Sequence, residues 1–362
     1  MPDPVDDEDV AAMVRACRPD WHVREFQRSE FGTDFVAFVT CAISTDASGS
    51  DGAERHASRE AVLKATTAGF VDPQVARAEP RLFELLGRET TIPVPEVYGF
   101  VDQHDEYPAP FYLLERVDGV NVEGNPDRLT AAARERVVRE AGENLAALHA
   151  LGTLPRVGGV GVTDGDLAVI DGEHGPVDDL REWVRAGVEQ ALAALEDGTY
   201  FPDLAADPQR FADLVPALRA ELDDRLDALS EPAAPRYCHW DYRYGNLLVD
   251  PETGETRAVL DWANLTAAEP AYNLAKVEAH LFDAHADGPE RAAALRETFR
   301  DAYASERDGW AFTGAVETRM ETYQLTARLD AMACLPLWLQ DATPAEKDER
   351  EAQHRAFLAE YL

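Results

Sequence analysis

RYCHWDYRYGNLLVDPETGETRAVLDWANL, residues 236–265, is the stretch on which the reading of this chain turns. Within it LLVD (247–250) and RAVLDW (257–262) are strand-like runs, and PETGET between them carries the proline and glycine of a turn, so the spacing predicts a β-hairpin. Just ahead lies His239-Trp240-Asp241-Tyr242-Arg243-Tyr244-Gly245-Asn246. One loop puts Asp241 and Asn246 side by side, and the hairpin doubles back so that Asp261 can reach the same point. Phosphoryl transfer asks for such a set: a carboxylate near an acceptor hydroxyl, and oxygen ligands that hold Mg²⁺ against nucleotide phosphates. An isolated Asp five residues before an Asn is ordinarily a turn or a cap. The chemical reading comes from its combination with His239, the hairpin and Asp261.

Upstream, DEDVAAMVRAC (7–17) has the spacing of a short helix with acids at its start, where the helix dipole favours them. WHVREFQR (21–28), DFVAFVTCAIS (34–44) and REAVLKAT (59–66) read as three strands. Val75, Leu82, Leu85 and Leu86 fit a helix over 73–87, which TTIPVPEV ends with two prolines. Two further strands, VYGFVDQ (97–103) and FYLLERV (111–117), complete a small β-rich lobe. After Asp118-Gly119 long helical segments take over, at 129–151, 178–196 and 208–229 and again at 320–339. The expected fold class is α+β in two lobes, 1–117 and 118–362, with a hinge near 115–120.

Composition narrows the function. The chain has 362 residues, 45% of them hydrophobic, so it can bury a large core. No apolar run approaches the roughly 18 residues of a membrane span, and the acidic start MPDPVDDEDV does not resemble a secretion signal, so a cytoplasmic protein without a membrane partner is expected. Four cysteines (Cys17, Cys41, Cys238, Cys334) without a C-x-x-C pair argue against a disulfide framework or zinc site. A net charge of −35, from 69 acids against 34 bases, would repel phosphate backbones and excludes nucleic acid as a partner. Self-repulsion of this size is screened at ~1 M salt, where the Debye length is about 3 Å, so a salt-rich (halophilic) cytoplasm is the expected setting. Only three lysines remain: Lys64, Lys276 and Lys347. Lys64, retained in an apolar strand of an arginine-rich chain, therefore stands out.

H-x-D-x-x-x-x-N followed by a hairpin and D-W resembles the aminoglycoside phosphotransferase and choline kinase superfamily, distant relatives of the protein kinases, whose catalytic loop shares this spacing. VLDWANLTAAEPAYNLA (259–275), LAALHAL (145–151), VPEVYGF (94–100) and YLLERVDG (112–119) are also similar to family segments, and the likeness runs from about residue 20 to 340. It implies a protein-kinase-like fold: a small antiparallel β-rich lobe with one main helix, and a larger helical lobe containing the catalytic-loop hairpin. It also implies ATP or another nucleoside triphosphate, Mg²⁺, and a small-molecule alcohol as acceptor. Asp241 becomes the catalytic base, Asn246 and Asp261 the metal ligands, and His239 a support for the loop. Arg243 stands where protein kinases carry a lysine facing the transferred phosphate; a surface ion pair is the competing reading. Lys64 matches the strand lysine that holds the α- and β-phosphates. Its partner is Glu79 or Glu84; Glu79 matches the family position better, though Pro80 beside it is awkward inside a helix. SEFGTDF, with Ser29, Gly32 and Thr33, is the candidate phosphate loop, and the backbone of Glu115 and Val117 would meet adenine.

Two positions depart from the family's wording. Gly-Asp-Pro becomes Ala268-Glu269-Pro270, and Tyr-Asp-Leu-Ala becomes Tyr272-Asn273-Leu274-Ala275. These changes bear on loop bracing or on the acceptor. Trp240, Tyr242 and Tyr244 either narrow the acceptor pocket or pack inward; Trp262, Tyr272 and Trp338 either cage a cationic amine or belong to the core. A nucleotide-binding module without catalysis is the alternative function, and a carboxylate hydrolase would leave Lys64 and Asn246 without a task. No D-F-G or A-P-E segment marks a protein kinase.

Overall fold

The structure, a computed structural model, describes residues 5–29, 34–43, 57–67, 72–172, 175–201, 210–263, 265–282 and 287–362. It opens with helix α1 (Asp7–Cys17), strands β1 (Trp21–Arg28), β2 (Phe35–Ile43) and β3 (Ala57–Ala65), a single turn α2 (Pro73–Ala76) and helix α3 (Ala78–Glu89). Strands β4 (Val97–Val101) and β5 (Phe111–Glu115), helix α4 (Ala131–Ala150) and the pair β6 (Gly158–Thr163) and β7 (Asp166–Val169) follow. Helices α5 (Leu180–Asp197) and α6 (Val215–Ala228) precede β8 (Arg236–Cys238), β9 (Leu247–Val249), β10 (Thr256–Val259) and β11 (Thr266–Ala268). The chain ends in helices α7 (Pro270–Leu281), α8 (Pro289–Ser305), α9 (Gly314–Ala333), α10 (Leu335–Trp338) and α11 (Pro344–Leu358). The α+β expectation holds. Strands β6 and β7 correspond to no element read from the sequence.

Packing divides the chain into two compact units that are discontinuous in sequence. The first comprises Met1–Ala133, Val160–Ile170 and Gly245–Leu265; the second Arg134–Gly159, Asp171–Tyr244 and Thr266–Leu362. In the first, five antiparallel strands run in the order β1-β2-β3-β5-β4. Alternation on β3 explains what each face does: Ala61, Leu63 and Ala65 are fully buried and join Met13 and Val14 of α1, Trp21, Val39 and Leu113 in one core. The intervening Lys64 points to the other face. Cross-strand register sets Lys64 opposite Val36 on one side and Tyr112 on the other.

The β9–β10 hairpin belongs to this unit because backbone ties hold it there. Val120 and Val249 exchange both hydrogen bonds at 2.9 and 3.0 Å, and the Val259 N–H donates to Pro93 O at 2.8 Å. Gly119 permits the approach: a Cβ there would stand 2.9 Å from Leu248 Cβ. Asn121 adds a side-chain amide to Gly245 O at 2.5 Å. The β6–β7 hairpin is fastened to α3 by Arg81, whose Nε donates to Gly165 O at 3.0 Å while its other nitrogens grip Asp102 at 2.9 and 2.7 Å.

The second unit is mainly helical. Its central helix α7 is buried over residues 270–278, so it can serve as a fixed rod. Glu278, the acid in its middle, is buried and receives Arg296 at 3.1 Å, Arg300 at 2.6 and 3.0 Å and Gln324 at 2.8 Å. β8 pairs antiparallel with β11, Cys238 opposite Thr266, which delivers the chain to His239 at the start of the loop. All four cysteines are free thiols. Among the described residues no helix is long and apolar enough to cross a membrane.

Candidate functional site

In the first unit three residues far apart in sequence meet. Lys64 Nζ lies 2.7 Å from Glu79 Oε2 and 3.7 Å from Asp261 Oδ1. Burial opposes the lysine's charge, but the carboxylates of Glu79 and Asp261 outweigh it and raise the ammonium above the ordinary lysine range. Glu84 is exposed and takes no part. Pro80 is accommodated because α3 begins at Ala78: the proline falls in the first turn, where backbone N–H groups have no intrahelical partner to lose. Glu79 is accordingly buried at the base of that helix and faces Lys64.

Asp261 is held in an unusual backbone conformation, φ +59, one of two non-glycine residues with positive φ among those described. The peptide after it is pinned: the Trp262 N–H donates to Glu79 Oε1 at 3.2 Å, and the Trp262 indole donates to Val259 O at 2.9 Å. The Asp261 carboxylate itself is 46% exposed, open to a ligand. Asn246 is placed beside it by the hairpin ladder, its carbonyl accepting the Leu260 N–H at 2.8 Å. Among the described residues no group of three or more His, Cys, Asp or Glu side chains could hold a metal ion. Two oxygen donors, one amide and one carboxylate, suit Mg²⁺, which usually takes one or two protein ligands and completes its shell with phosphate and water.

The candidate phosphate loop is only partly described. Gly32 and Thr33 lie outside the described residues. Ser29 donates its N–H to Val36 O at 2.8 Å, so that group is committed to closing the β1–β2 ladder. At the end of β5 the Glu115 N–H is given to Glu96 O at 2.8 Å, so that donor is committed within the first unit. Val117 lies two residues beyond the end of β5.

In the second unit the backbone at the start of the Asp241 loop is held by neutral hydrogen bonds. Asn273 of α7 grips the backbone of His239 from both sides: its Oδ1 accepts the His239 N–H at 3.1 Å and its Nδ2 donates to His239 O at 2.8 Å. An aspartate could not make the second bond, and this is what asparagine supplies at the position where the family's wording has Asp. Asn273 Oδ1 is also 3.1 Å from His149 Nε2, and His149 Nδ1 is 2.8 Å from Tyr303 OH. Burial pulls the His149 imidazole down to about 3, so it is neutral. Tyr242 and Tyr244 are buried and turn inward, accepting from Asn144 Nδ2 and Arg134 Nε at 3.0 Å each. They pack the loop and do not narrow a pocket. Glu269, fully buried, is held by Arg319, Tyr323 and the Ala233 N–H at 2.7–3.2 Å, so it braces the start of α7.

Arg243 turns back on the loop: its Nε donates to Asp241 Oδ1 at 3.0 Å. The same oxygen lies 3.9 Å from His280 Nδ1, a buried ring nitrogen with no hydrogen-bond partner. Burial, then Lys276, Arg243 and His239, draws His280 down to about 3. Asn273 and His280 are seven residues apart and share a face of α7, so one helix both braces the loop and presents a ring to Asp241. The aromatic cage is not formed around Tyr272. Trp183 and Tyr323 pack edge-to-face against Tyr272, and Lys276 Nζ lies 5.6 Å from its centroid. Trp262 is 1% exposed in the core of the other unit, and Trp338 is 59% exposed.

Sequence reasoning did not find Tyr112, His149 or His280. Tyr112 is marked only by strand register. The spacing 273, 276, 280 is a helix-face pattern that could have singled out His280.

Known proteins add to this geometry. The model of the phosphotransferase enzyme family matches residues 45–313, nearly three quarters of the chain. Among solved structures, a ternary complex of aminoglycoside phosphotransferase APH(4)-Ia with AMP-PNP and hygromycin B is 15% identical, with a TM-score of 0.55 over 97% of both chains. A GDP complex of aminoglycoside 2'-phosphotransferase-IIIa is 13% identical, with a TM-score of 0.56 over 97% of this chain and 99% of that one. A protein from Ralstonia eutropha JMP134 described as an aminoglycoside phosphotransferase is 18% identical, with a TM-score of 0.56 over 96% and 95%. At these identities the likeness shows the kinase-like fold alone. By sequence, none of the curated proteins matches this chain. With a family match over most of its length and the kinase-like fold throughout, the chain belongs to the phosphotransferase enzyme family, in the aminoglycoside phosphotransferase and choline kinase superfamily.

Proposed function

We propose that this phosphotransferase uses ATP or another nucleoside triphosphate with Mg²⁺ and moves the γ-phosphate to a hydroxyl of a small molecule: an amino alcohol, a sugar or an aminoglycoside-like compound. The observation that carries the reading is the meeting of Lys64, Glu79 and Asp261 on one face of the first unit, with Asn246 set beside Asp261 by the hairpin. No demand of folding brings a strand lysine, a helix glutamate and a hairpin aspartate together while leaving the aspartate half exposed. Triphosphate binding does.

In this reading Lys64 holds the α- and β-phosphates and Glu79 orients Lys64. Asn246 and Asp261 hold Mg²⁺, which when bound neutralises charge on the phosphates. Asp241 accepts the proton of the acceptor hydroxyl as its oxygen bonds to the γ-phosphorus and the bond from phosphorus to the bridging oxygen breaks, releasing the nucleoside diphosphate. Arg243 orients the Asp241 carboxylate and meets charge developing on the transferred group. His239 supports the loop through its clamped backbone. Ser29, Gly32 and Thr33 are assigned the phosphate loop, and Glu115 and Val117 the adenine edge.

The test is purified protein with labelled ATP and Mg²⁺ at high salt against a panel of amino alcohols, sugars and aminoglycosides. Transfer to one of them, lost in Asp241→Asn, supports the reading. Tight nucleotide binding with no transfer to any acceptor would support a non-catalytic module instead.

A further inference from the structure

Glu79 has more partners than orienting a lysine requires. Its carboxylate, 4% exposed, accepts from Lys64 Nζ, from the Trp262 N–H and from the phenol of Tyr112. Tyr112 lies on β5 directly across from Lys64, so the pleat sends both side chains to the same face and over the same helix end. The tyrosine is 1% exposed and its hydroxyl bonds to Glu79. Phenylalanine would fill the same volume, so the hydroxyl answers to Glu79 and not to packing.

The arrangement bears on what Lys64 can do. An ammonium has three N–H donors, and a lysine that serves both a glutamate and a phosphate must share them. As Lys64 turns toward a phosphate, a carboxylate this deeply buried would lose its charged partner, and an uncompensated buried charge is costly. The Tyr112 O–H and the Trp262 N–H stay on Glu79 throughout. Because Trp262 follows Asp261, the same carboxylate also holds the peptide that presents the candidate metal ligand.

We propose that Tyr112 is a positioning residue that keeps Glu79 hydrogen-bonded while Lys64 is shared with the phosphates of a bound nucleotide. This rests on the nucleotide reading of the site. Without the phenol, Glu79 depends on Lys64 and holds the ammonium back, so phosphate-bearing ligands lose affinity while the nucleoside portion is unaffected.

The experiment is calorimetric titration of the full chain and its Tyr112→Phe variant with MgAMP-PNP, MgADP and adenosine. Expected is a rise of about tenfold in Kd for MgAMP-PNP and MgADP, equivalent to ~1.4 kcal/mol, with adenosine unchanged. In a Glu79→Gln background the same substitution should have a clearly smaller effect, since the charge it serves is gone. Equal losses for adenosine and MgAMP-PNP, unchanged affinities for all three, or an undiminished effect in the Glu79→Gln background would overturn the assignment. If the wild-type chain binds none of the three, the nucleotide reading falls and takes this one with it. If it binds them and Tyr112→Phe binds as well, only Tyr112 is wrongly placed.

Discussion

The Lys64 cluster and the Asp241 loop are built in opposite ways. Around Lys64 the contacts are charged, from Glu79 at 2.7 Å and Asp261 at 3.7 Å, with the Asp261 carboxylate half open. Around Asp241 the backbone is braced mainly by neutral groups, a bidentate amide from Asn273 with an imidazole behind it and Asn144 on the phenol of Tyr242, while the guanidinium groups of Arg134 and Arg243 meet Tyr244 and Asp241. A charged contact can be traded for another when a phosphate arrives. Neutral hydrogen bonds fix a loop without the desolvation penalty of buried ions, so they suit geometry that should not change. The exchange of the family's Asp for Asn273 belongs to the second style.

Substitutions can break or sharpen this contrast. Asp241→Asn should lower kcat by about 10²–10⁴-fold, the usual range for a general base, while nucleotide affinity and melting temperature stay put. Loss of nucleotide binding in that variant would show that the two regions are not separable. Asn273→Ala removes both backbone partners of His239 and leaves two buried groups unpaired, so denaturant titration should show a loss of about 2–6 kcal/mol, at 1–3 kcal/mol per orphaned group. Asn273→Asp should be destabilising too, since the donor to His239 O is lost.

A third test uses acid. His149 titrates at about 3 in the folded chain against 6.5 for a free imidazole, so below 6.5 the unfolded state binds the extra proton and stability falls as pH drops toward 3. Each such histidine contributes a slope of about 1.4 kcal/mol per pH unit in that window, and His149→Gln should remove one such increment from stability measured by urea titration at stepped pH. The smallest expected effect is that of salt. Surface repulsion from a net charge of −35 is screened between ~0.1 and ~1 M KCl, so the melting temperature should rise, while the Lys64–Glu79 pair, 19% and 4% exposed, is screened far less. A melting temperature indifferent to salt would count against the salt-rich setting.

The strand, helix and hairpin signals were strong where alternation or turn chemistry was clean: β1 to β5, α3, α4 and the β9–β10 hairpin all stand close to where periodicity sets them. The glycine-rich run that forms β6 and β7 has too little side chain to show a period. Gly161 is closely packed there, since a Cβ would stand 2.7 and 2.9 Å from the Ile170 side chain and 3.2 Å from the Gln74 backbone, and the constraint is invisible without the fold. The bulky side chains of the loop were open to two readings, and burial resolved Tyr242 and Tyr244 as packing.

Residue chemistry and spacing along the chain were enough to mark Asp241, Asn246, Asp261 and Lys64, because a hairpin and a retained lysine are local features. Which groups answer them is a matter of register and of helix faces. Tyr112 reaches Glu79 because β3 and β5 pair as they do, and Asn273 reaches His239 because α7 runs beside the loop. Hydrogen bonds depend on distances of a few ångströms between segments far apart in sequence, and only the folded chain sets those distances.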